Sequence, residues 1–172
     1  DTFNISGTTA YDLNGGAGDD QFIFTSGASL TGAIDGQGDN NTLSFAGNTN
    51  AHSITLTGLD ATDGFAGQID SAFSTFTNID ILTGGNASDT LIGANLIATW
   101  ELDGTNRYLF SGHALAFSAF ELLKGGALAD SFVFSGIAVF AGSIDGQAGS
   151  DTLDFSIYSA ARSVTLTGLG TD

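Results

Sequence analysis

The chain has 172 residues, including 25 Gly and no Pro, Cys or Met, and its net charge of −16 arises from 19 acidic and only three basic residues. This balance excludes binding to nucleic acid or to an anionic membrane surface, because both partners need Lys and Arg. The lack of Cys excludes a disulfide framework, and no apolar run approaches the ~18 residues of a membrane span. Since 42% of the residues are hydrophobic, the chain is not an acidic disordered tail.

The first predicted element is a glycine-rich turn followed by a short strand. Gly15–Ile23 matches in full the pattern G-G-x-G-x-D-x-U-x, in which U is a large apolar residue. The opening residues Asp1–Ile5 look like the end of another copy. Weaker copies follow at Gly36–Phe45, Gly84–Gly93, Gly125–Phe134 and Gly146–Phe155.

Each turn leads into a strand in which large apolar residues alternate with variable ones. Phe22 and Phe24, for example, flank Ile23. Because alternate residues of a strand point to opposite faces, the apolar pairs are predicted to face inward and to stack on one another. The pairs are Phe3 and Ile5, Phe22 and Phe24, Leu43 and Phe45, Phe132 and Phe134, and Leu153 and Phe155.

A second strand is predicted in each unit. The segments are Leu30–Ile34, Ile54–Leu59, Ile97–Leu102, Phe140–Ile144 and Val164–Leu169. Residues 60–67 interrupt the pattern and are predicted to form an inserted loop. The stretch Ala114–Leu123 has helical propensity, but Phe117–Gly126 aligns with Phe76–Gly85, which favours strand.

Internal repeats indicate how the units are arranged. Gly15–Phe45 aligns without a gap on Gly125–Phe155, an offset of 125 − 15 = 110 residues, and shorter steps of about 20 residues lie inside. A step of that length with two short strands is typical of a β-solenoid coil. We therefore predict an all-β, single-stranded parallel β-solenoid of about eight coils. Residues 1–172 would form one continuous segment of a longer tandem array.

The turn motifs resemble the nonapeptide repeats of RTX proteins, and the stretches Asn78–Gly93 and Ser143–Ser156 are similar to repeats of large bacterial surface adhesins. This resemblance implies a parallel β-solenoid, an extracellular location on the bacterial cell surface, and calcium bound between stacked turns. Carried over to this chain, it implies Ca²⁺ ligands at Gly16, Gly18, Asp20, Asp39, Asn41, Asp89, Asp130 and Asp151. RTX repeats recur every nine residues and these do not, and Ala87 and Leu128 replace the fourth-position Gly.

A second interpretation of the same residues needs no metal. Asp and Asn side chains bond their own backbone in turns, and Gly supplies the positive φ angles that turns require. The sequence leaves both interpretations open.

Two further groups of residues are considered for binding. Trp100, Tyr108 and Arg107 are either a sugar-stacking platform or core residues. His52 and His113 lie far apart in turns, which argues against a shared metal or catalytic role.

Two other patterns point to solenoid functions. The Thr-x-Thr motif of ice-binding solenoids occurs here only twice, and outward β-branched strand residues explain it more simply. Its members are Thr55, Thr57, Thr165 and Thr167. Glu101 and Glu121 are the only Glu residues and could form a glycosidase pair, but no basic cluster accompanies them.

The predicted function is structural rather than enzymatic: a calcium-stabilised spacer in a secreted or cell-surface bacterial adhesin or filament. Its expected partners are neighbouring repeats of the same chain, further copies by end-to-end or lateral association, and a glycan or host-cell ligand. The alternative is a carbohydrate-binding module, followed by a polysaccharide-active solenoid enzyme or an ice-binding protein.

Overall fold

The computed structural model describes residues 1–70, 74–163 and 165, and these ranges contain nineteen β-strands and no helix. The predicted all-β class is confirmed. Its basis is local: short runs that alternate apolar with polar residues suit a pleated surface with one buried face.

The strands are short and follow one another closely along the chain. The first ten are β1 (Thr2–Ile5), β2 (Thr8–Thr9), β3 (Leu13–Asn14), β4 (Gln21–Phe24), β5 (Ser29–Leu30), β6 (Ile34–Asp35), β7 (Thr42–Ser44), β8 (Ser53–Leu59), β9 (Phe65–Ile69) and β10 (Ser74–Ile79). The others are β11 (Ile81–Thr83), β12 (Thr90–Ile92), β13 (Thr99–Leu102), β14 (Arg107–Phe110), β15 (His113–Ser118), β16 (Leu122–Lys124), β17 (Ser131–Gly136), β18 (Ser143–Asp145) and β19 (Thr152–Tyr158).

Two large sheets contain all but two of these strands. The first sheet has nine strands in the order β1-β4-β7-β11-β15-β14-β13-β17-β19, and the second has eight in the order β18-β16-β12-β8-β9-β10-β6-β3. The small pair β2–β5 stands apart. Between neighbouring parallel strands the inward residues are in register: Phe22 lies beside Phe3 and Leu43, and Leu82 lies beside Leu43.

Each large sheet is interrupted by a three-stranded antiparallel meander. In the second sheet it is β8–β9–β10, and in the first it is β13–β14–β15. A single, wholly parallel solenoid is therefore not confirmed. The reason lies partly in the turn between β14 and β15, where Ser111 (φ 52°) and Gly112 (φ 84°) form a two-residue loop with both φ angles positive. That geometry is the one that joins antiparallel strands tightly.

Several predicted element bounds change. The predicted loop at 60–67 is shorter, because a turn occupies residues 60–64 and β9 begins at Phe65. The predicted strand Leu30–Ile34 is two strands, β5 and β6, and only the end of Phe140–Ile144 is strand. The stretch Ala114–Leu123 enters β15 and β16, so its prediction as strand is confirmed. Val164–Leu169 lies outside the described residues apart from Thr165.

One hydrophobic core joins the two large sheets. Its largest fully buried side chains include Trp100 and Tyr108 of the first sheet and Phe65 of the second, and the Phe65 and Tyr108 rings meet edge to face at 5.6 Å. Rings also stack from strand to strand within the first sheet, as Phe3 does on Phe22 at 4.9 Å. The predicted inward ladder is confirmed except at Leu153, which is 52% exposed on the last strand.

Candidate metal site at the glycine-rich turns

The glycine-rich turns end in a polar residue that lies directly before a strand. Four of these residues are almost completely inaccessible to solvent: Asp20, Asn41, Asp89 and Asp130. Asp151, at the same motif position in the last turn, is exposed, as is Asp39 within the second turn.

Several side chains that lie directly before a strand accept amide hydrogens from a neighbouring turn. The Asp20 N–H donates to Asn41 Oδ1 at 3.1 Å, the Asn41 N–H donates to Asp80 Oδ2 at 2.9 Å, and the Asp130 N–H donates to Asp151 Oδ1 at 2.9 Å. These bonds satisfy amides at the points where strands begin. Buried amides without a partner are costly, so the side chains contribute directly to folding.

Asp89 is the most fully engaged of these carboxylates. Its Oδ1 accepts the His52 N–H and its Oδ2 accepts the Gly85 N–H, both at 2.6 Å. Its own N–H donates to Glu121 Oε2 at 2.9 Å. Sequence reasoning missed the equivalent roles of Asp80 and Glu121. A signal was present, since both residues directly precede a strand.

The first glycine of each motif packs against the Asp or Asn side chain five residues later. A Cβ placed on Gly15 would lie 2.4 Å from Asp20 Oδ2, and one on Gly125 would lie 2.6 Å from Asp130 Oδ2. A Cβ on Gly84 would lie 1.8 Å from the Ala119 carbonyl oxygen. All five copies keep this glycine and an Asp or Asn five residues later. The Gly-x₄-Asp/Asn unit is therefore a packing requirement.

The second and fourth motif positions are governed by backbone conformation. Gly16 and Gly18 have φ angles of 98° and 92°, and Gln37 and Asp39 hold the same positions in the next turn with φ of 67° and 68°. The Gly18 N–H donates to Asp39 Oδ2 at 2.9 Å. Glycine suits such angles best. Ala87 and Leu128, which replace the fourth glycine, do not take positive φ, so those turns have a different shape.

The predicted metal ligands divide into separate groups. Gly16, Gly18, Asp20, Asp39 and Asn41 share one pair of stacked turns, Asp130 and Asp151 share another, and Asp89 lies apart from both. Among the described residues, no group of three or more His, Asp or Glu side chains is placed to hold a metal ion.

The occupied oxygens also argue against a preformed calcium shell. Calcium takes 6–8 oxygen ligands, whereas both Asp89 oxygens and one oxygen each of Asp39, Asp130 and Asp151 already accept amide hydrogens. Two are buried without a hydrogen-bond partner, Asp20 Oδ2 and Asp130 Oδ1, and they belong to different turns. The described residues as arranged do not fit a calcium site at the buried positions, and calcium binding stays a prediction.

Burial sets the electrostatics of these turns. It raises the pKa of Asp130, and repulsion from Asp151 acts in the same direction against the hydrogen bond from Gly126. It also raises the pKa of Asp80 against the hydrogen bond from Asn41. Keeping Asp130 and Asp80 ionised in the folded state therefore costs free energy of folding.

The pKa of the Asp70 carboxyl is shifted in the opposite direction. Burial alone would raise its pKa, but hydrogen bonds from His52 and from the Ser53 N–H, together with attraction to His52, lower it. His52 Nδ1 lies 2.7 Å from Asp70 Oδ2. This pair ties β8 to the end of β9.

The sugar-stacking interpretation of the aromatic residues is wrong. Trp100 and Tyr108 are fully buried, and Tyr108 Oη accepts the Ala94 N–H at 3.2 Å. Burial raises the pKa of Tyr108 to about 12. Arg107 pairs with Glu101 at 2.7 Å and with Asp103 at 3.0 Å. Trp100 and Tyr108 are therefore residues of the hydrophobic core.

The remaining candidates also have structural surroundings. Thr55 and Thr57 alternate with buried Ile54 and Leu56, so they face outward as predicted. The matching Thr167 lies outside the described residues. The two Glu side chains have unrelated partners, since Glu101 pairs with Arg107 and Glu121 accepts an amide hydrogen.

No family model, curated protein or solved structure matches this chain. Within the described ranges there is also no helix long and apolar enough to cross a bilayer.

Proposed function

We propose that this chain is a non-catalytic structural spacer, a segment of a longer tandem array in a secreted or cell-surface bacterial adhesin or filament. One observation carries the proposal: a single apolar core runs from β1 to the last strands, and motif side chains accept amide hydrogens from neighbouring segments along it. A protein with one continuous core of this kind can act as a spacer of fixed length.

The path of the chain supports a solenoid modified by its meanders. After β7 the chain passes to the second sheet, runs β8–β9–β10, and returns to the first sheet at β11 beside β7. Later the chain makes the equivalent excursion in the first sheet, where it runs β13–β14–β15. Nine strands have eight spacings, which at ~4.8 Å each give a height of about 38 Å.

The meanders also link distant parts of the stack. β8 pairs with β9 and with β12, and the chain then comes back so that β10 pairs with β6. β8 precedes β10 in the sequence, yet it lies farther from β1 along the stack of strands. Layers at one end therefore cannot unfold past the meander without disturbing the layers on its other side. We expect this interlocking to make the spacer resist tension as one unit.

Force spectroscopy tests the spacer directly. Pulled between handles at its two termini, the chain is expected to unfold in one cooperative event, or in two if the meanders separate. The released length would approach the fully extended length of about 600 Å, at ~3.5 Å per residue, less the folded height. A ladder of small steps of about 70 Å, one per ~20-residue coil, would show independent coils and contradict the interlocked spacer.

Calcium stabilisation is a separate proposal with its own test. We propose that Ca²⁺ binds at the exposed oxygens of the first two turns, near Asp19 and Asp39, and relieves repulsion within a chain of net charge −16. Thermal unfolding in CaCl₂ is expected to show a higher midpoint than in a chelator, beyond the change seen with NaCl of equal ionic strength.

A variant pair locates the calcium effect. Asp39→Asn removes a carboxylate from the paired turns and is expected to reduce the calcium-dependent shift. Asp103→Asn removes an exposed carboxylate from the β13–β14 turn and is expected to leave the shift unchanged. An equal midpoint with calcium and with chelator would remove the calcium proposal and leave the spacer intact.

A further inference from the structure

A cavity of about 190 Å³ is lined by residues of both large sheets, beside the connection from β7 to β8. Its apolar lining includes Phe24 and Phe45, whose rings stack at 5.0 Å, together with Leu30 of β5 and Ile69 of β9. An engineered apolar cavity of ~150 Å³ binds benzene, so the volume suits a ligand with a single ring. None of the end strands β1, β3, β18 and β19 contributes a residue to this cavity.

Two titratable side chains, His52 and Asp70, line the same cavity and are bonded to each other. His52 Nδ1 lies 2.7 Å from Asp70 Oδ2, and the Ser53 N–H donates to Asp70 Oδ1 at 2.7 Å. The Asp70 N–H in turn donates to the Ser53 carbonyl oxygen at 2.8 Å. The Asp70 side chain is 28% exposed, and its carboxylate keeps further lone pairs for a ligand. Asp70 is therefore held in place before any ligand binds.

Three polar side chains of the cavity are left as hydrogen-bond acceptors. Although burial opposes it, hydrogen bonding lowers the pKa of Asp70, so this carboxyl is ionised at neutral pH. In a neutral imidazole, His52 Nδ1 therefore carries the proton shared with Asp70, and Nε2 keeps a lone pair. That Nε2 is buried and has no hydrogen-bond partner among the described residues. The Ser74 hydroxyl donates to the Gly32 carbonyl oxygen at 2.6 Å, which leaves the hydroxyl oxygen as an acceptor.

Charge decides which kind of ligand suits these acceptors. No Lys or Arg is among the described residues that line the cavity, so an anion would meet the Asp70 carboxylate without a compensating charge. The chain has a net charge of −16, which attracts cations toward it. A cation that carries its charge on N–H donors would satisfy both the charge and the acceptors, and an apolar ring would fill the rest of the space.

We propose that this cavity binds a small organic cation, a protonated primary amine attached to one apolar ring. The ammonium group donates to the Asp70 carboxylate, with His52 Nε2 as a second acceptor, and the ring lies against Phe24 and Phe45. The ligand site adds to the proposed spacer role and does not depend on it, because the cavity is built within one segment of the stack.

Benzylammonium chloride is the test ligand, followed by amide NMR of the isotope-labelled protein. NaCl at physiological ionic strength screens non-specific attraction to the net charge. Titration is expected to shift the amide signals of His52, Ser53 and Asp70 until they saturate. Methylammonium keeps the charge without the ring, and benzyl alcohol keeps the ring without the charge. Each is expected to bind at least ~10-fold more weakly than benzylammonium.

Three variants locate the site. Asp70→Asn removes the carboxylate and is expected to weaken benzylammonium binding at least ~10-fold. Asp103→Asn removes the same charge from the exposed β13–β14 turn and is the matched control, so its affinity should equal that of the wild type. Ala28→Leu places extra atoms at the cavity wall without changing any charge and is expected to abolish saturable binding.

Circular dichroism and thermal unfolding establish that each variant is folded before its affinity is measured. Should Asp70→Asn fail that check, Ala28→Leu and the two comparison ligands still decide the outcome. Shifts that never saturate, benzyl alcohol binding as tightly as benzylammonium, or a folded Ala28→Leu that binds like the wild type would overturn the proposal. Force spectroscopy without the ligand tests the spacer, so the two proposals fail separately.

Discussion

Substituting Gly84 with alanine is expected to destabilise the fold by about 3 kcal/mol or more. The new Cβ would lie 1.8 Å from the Ala119 carbonyl oxygen and 3.1 Å from Asp89 Oδ2. Neither neighbour can yield easily, because Gly84 itself donates to the Ser118 carbonyl and Asp89 is held by two amides. Urea unfolding followed by the fluorescence of buried Trp100 measures the loss.

Two other glycines in the turns serve as matched controls. A Cβ added to Gly38 would have no atom within 4 Å, and this residue has no positive φ, so Gly38→Ala is expected to change stability by less than ~0.5 kcal/mol. Gly16 has equal space but a φ of 98°, so Gly16→Ala is expected to cost about 1 kcal/mol through backbone strain. The measurements are made in chelator. Equal losses at all three positions would contradict the packing role of the first motif glycine.

The inward ladder was predictable because its cause is local. Alternation of side chains across a strand is a property of the backbone, so Phe22, Phe24 and Leu43 could be assigned to the core from spacing alone. The repeat offset further predicted that equivalent residues of successive units stack on one another. Both inferences need only the order of residues along the chain.

The meanders were not predictable in the same way. Ser111-Gly112 forms the tight antiparallel loop, yet the same dipeptide at Ser26-Gly27 joins strands that do not pair with each other. Which neighbour a strand takes is decided by burial across the whole stack. The pairing of β8 with β12, for example, depends on segments that lie more than 30 residues apart.

The position of the candidate site followed from the sequence, whereas its role stayed open between calcium binding and hydrogen bonding in turns. An Asp after a glycine turn needs a partner for its charge, and a cation or a backbone amide satisfies that need equally well in the sequence pattern. Only the folded surroundings decide between them, and for Asp89 they supply two amides, one from His52 of a neighbouring segment and one from Gly85 of its own turn. The roles of Asp80 and Glu121 were missed because neither follows a complete motif.

The Asp89→Asn variant is expected to lose about 2–3 kcal/mol of stability at neutral pH. Both carboxylate oxygens accept a buried amide hydrogen at 2.6 Å. An asparagine side chain keeps one acceptor and turns an NH₂ group toward the second amide, which leaves two buried donors facing each other. Thermal and urea unfolding in chelator measure the effect without any metal contribution.

Asp130→Asn is the isosteric comparison and is expected to have the opposite sign. Asp130 Oδ2 accepts the Gly126 N–H, whereas Oδ1 is buried without a hydrogen bond of normal geometry; burial raises the pKa of this carboxyl, and the nearby Ala98 and Trp100 N–H groups offset that effect only in part. The variant keeps the acceptor for the Gly126 N–H and removes the buried charge, and Asn41 already occupies the same motif position. We expect a gain of up to about 1 kcal/mol at neutral pH.

The pH dependence gives the two effects separate signatures. Because the pKa of Asp130 is raised in the folded state, the folded protein binds a proton more readily than the unfolded chain, and the wild type gains stability as the pH falls from neutral toward that pKa. The advantage of Asp130→Asn should therefore be largest at neutral pH and shrink on acidification. If both substitutions instead destabilised equally and only when calcium was present, these carboxylates would be metal ligands rather than partners for the amides of neighbouring turns.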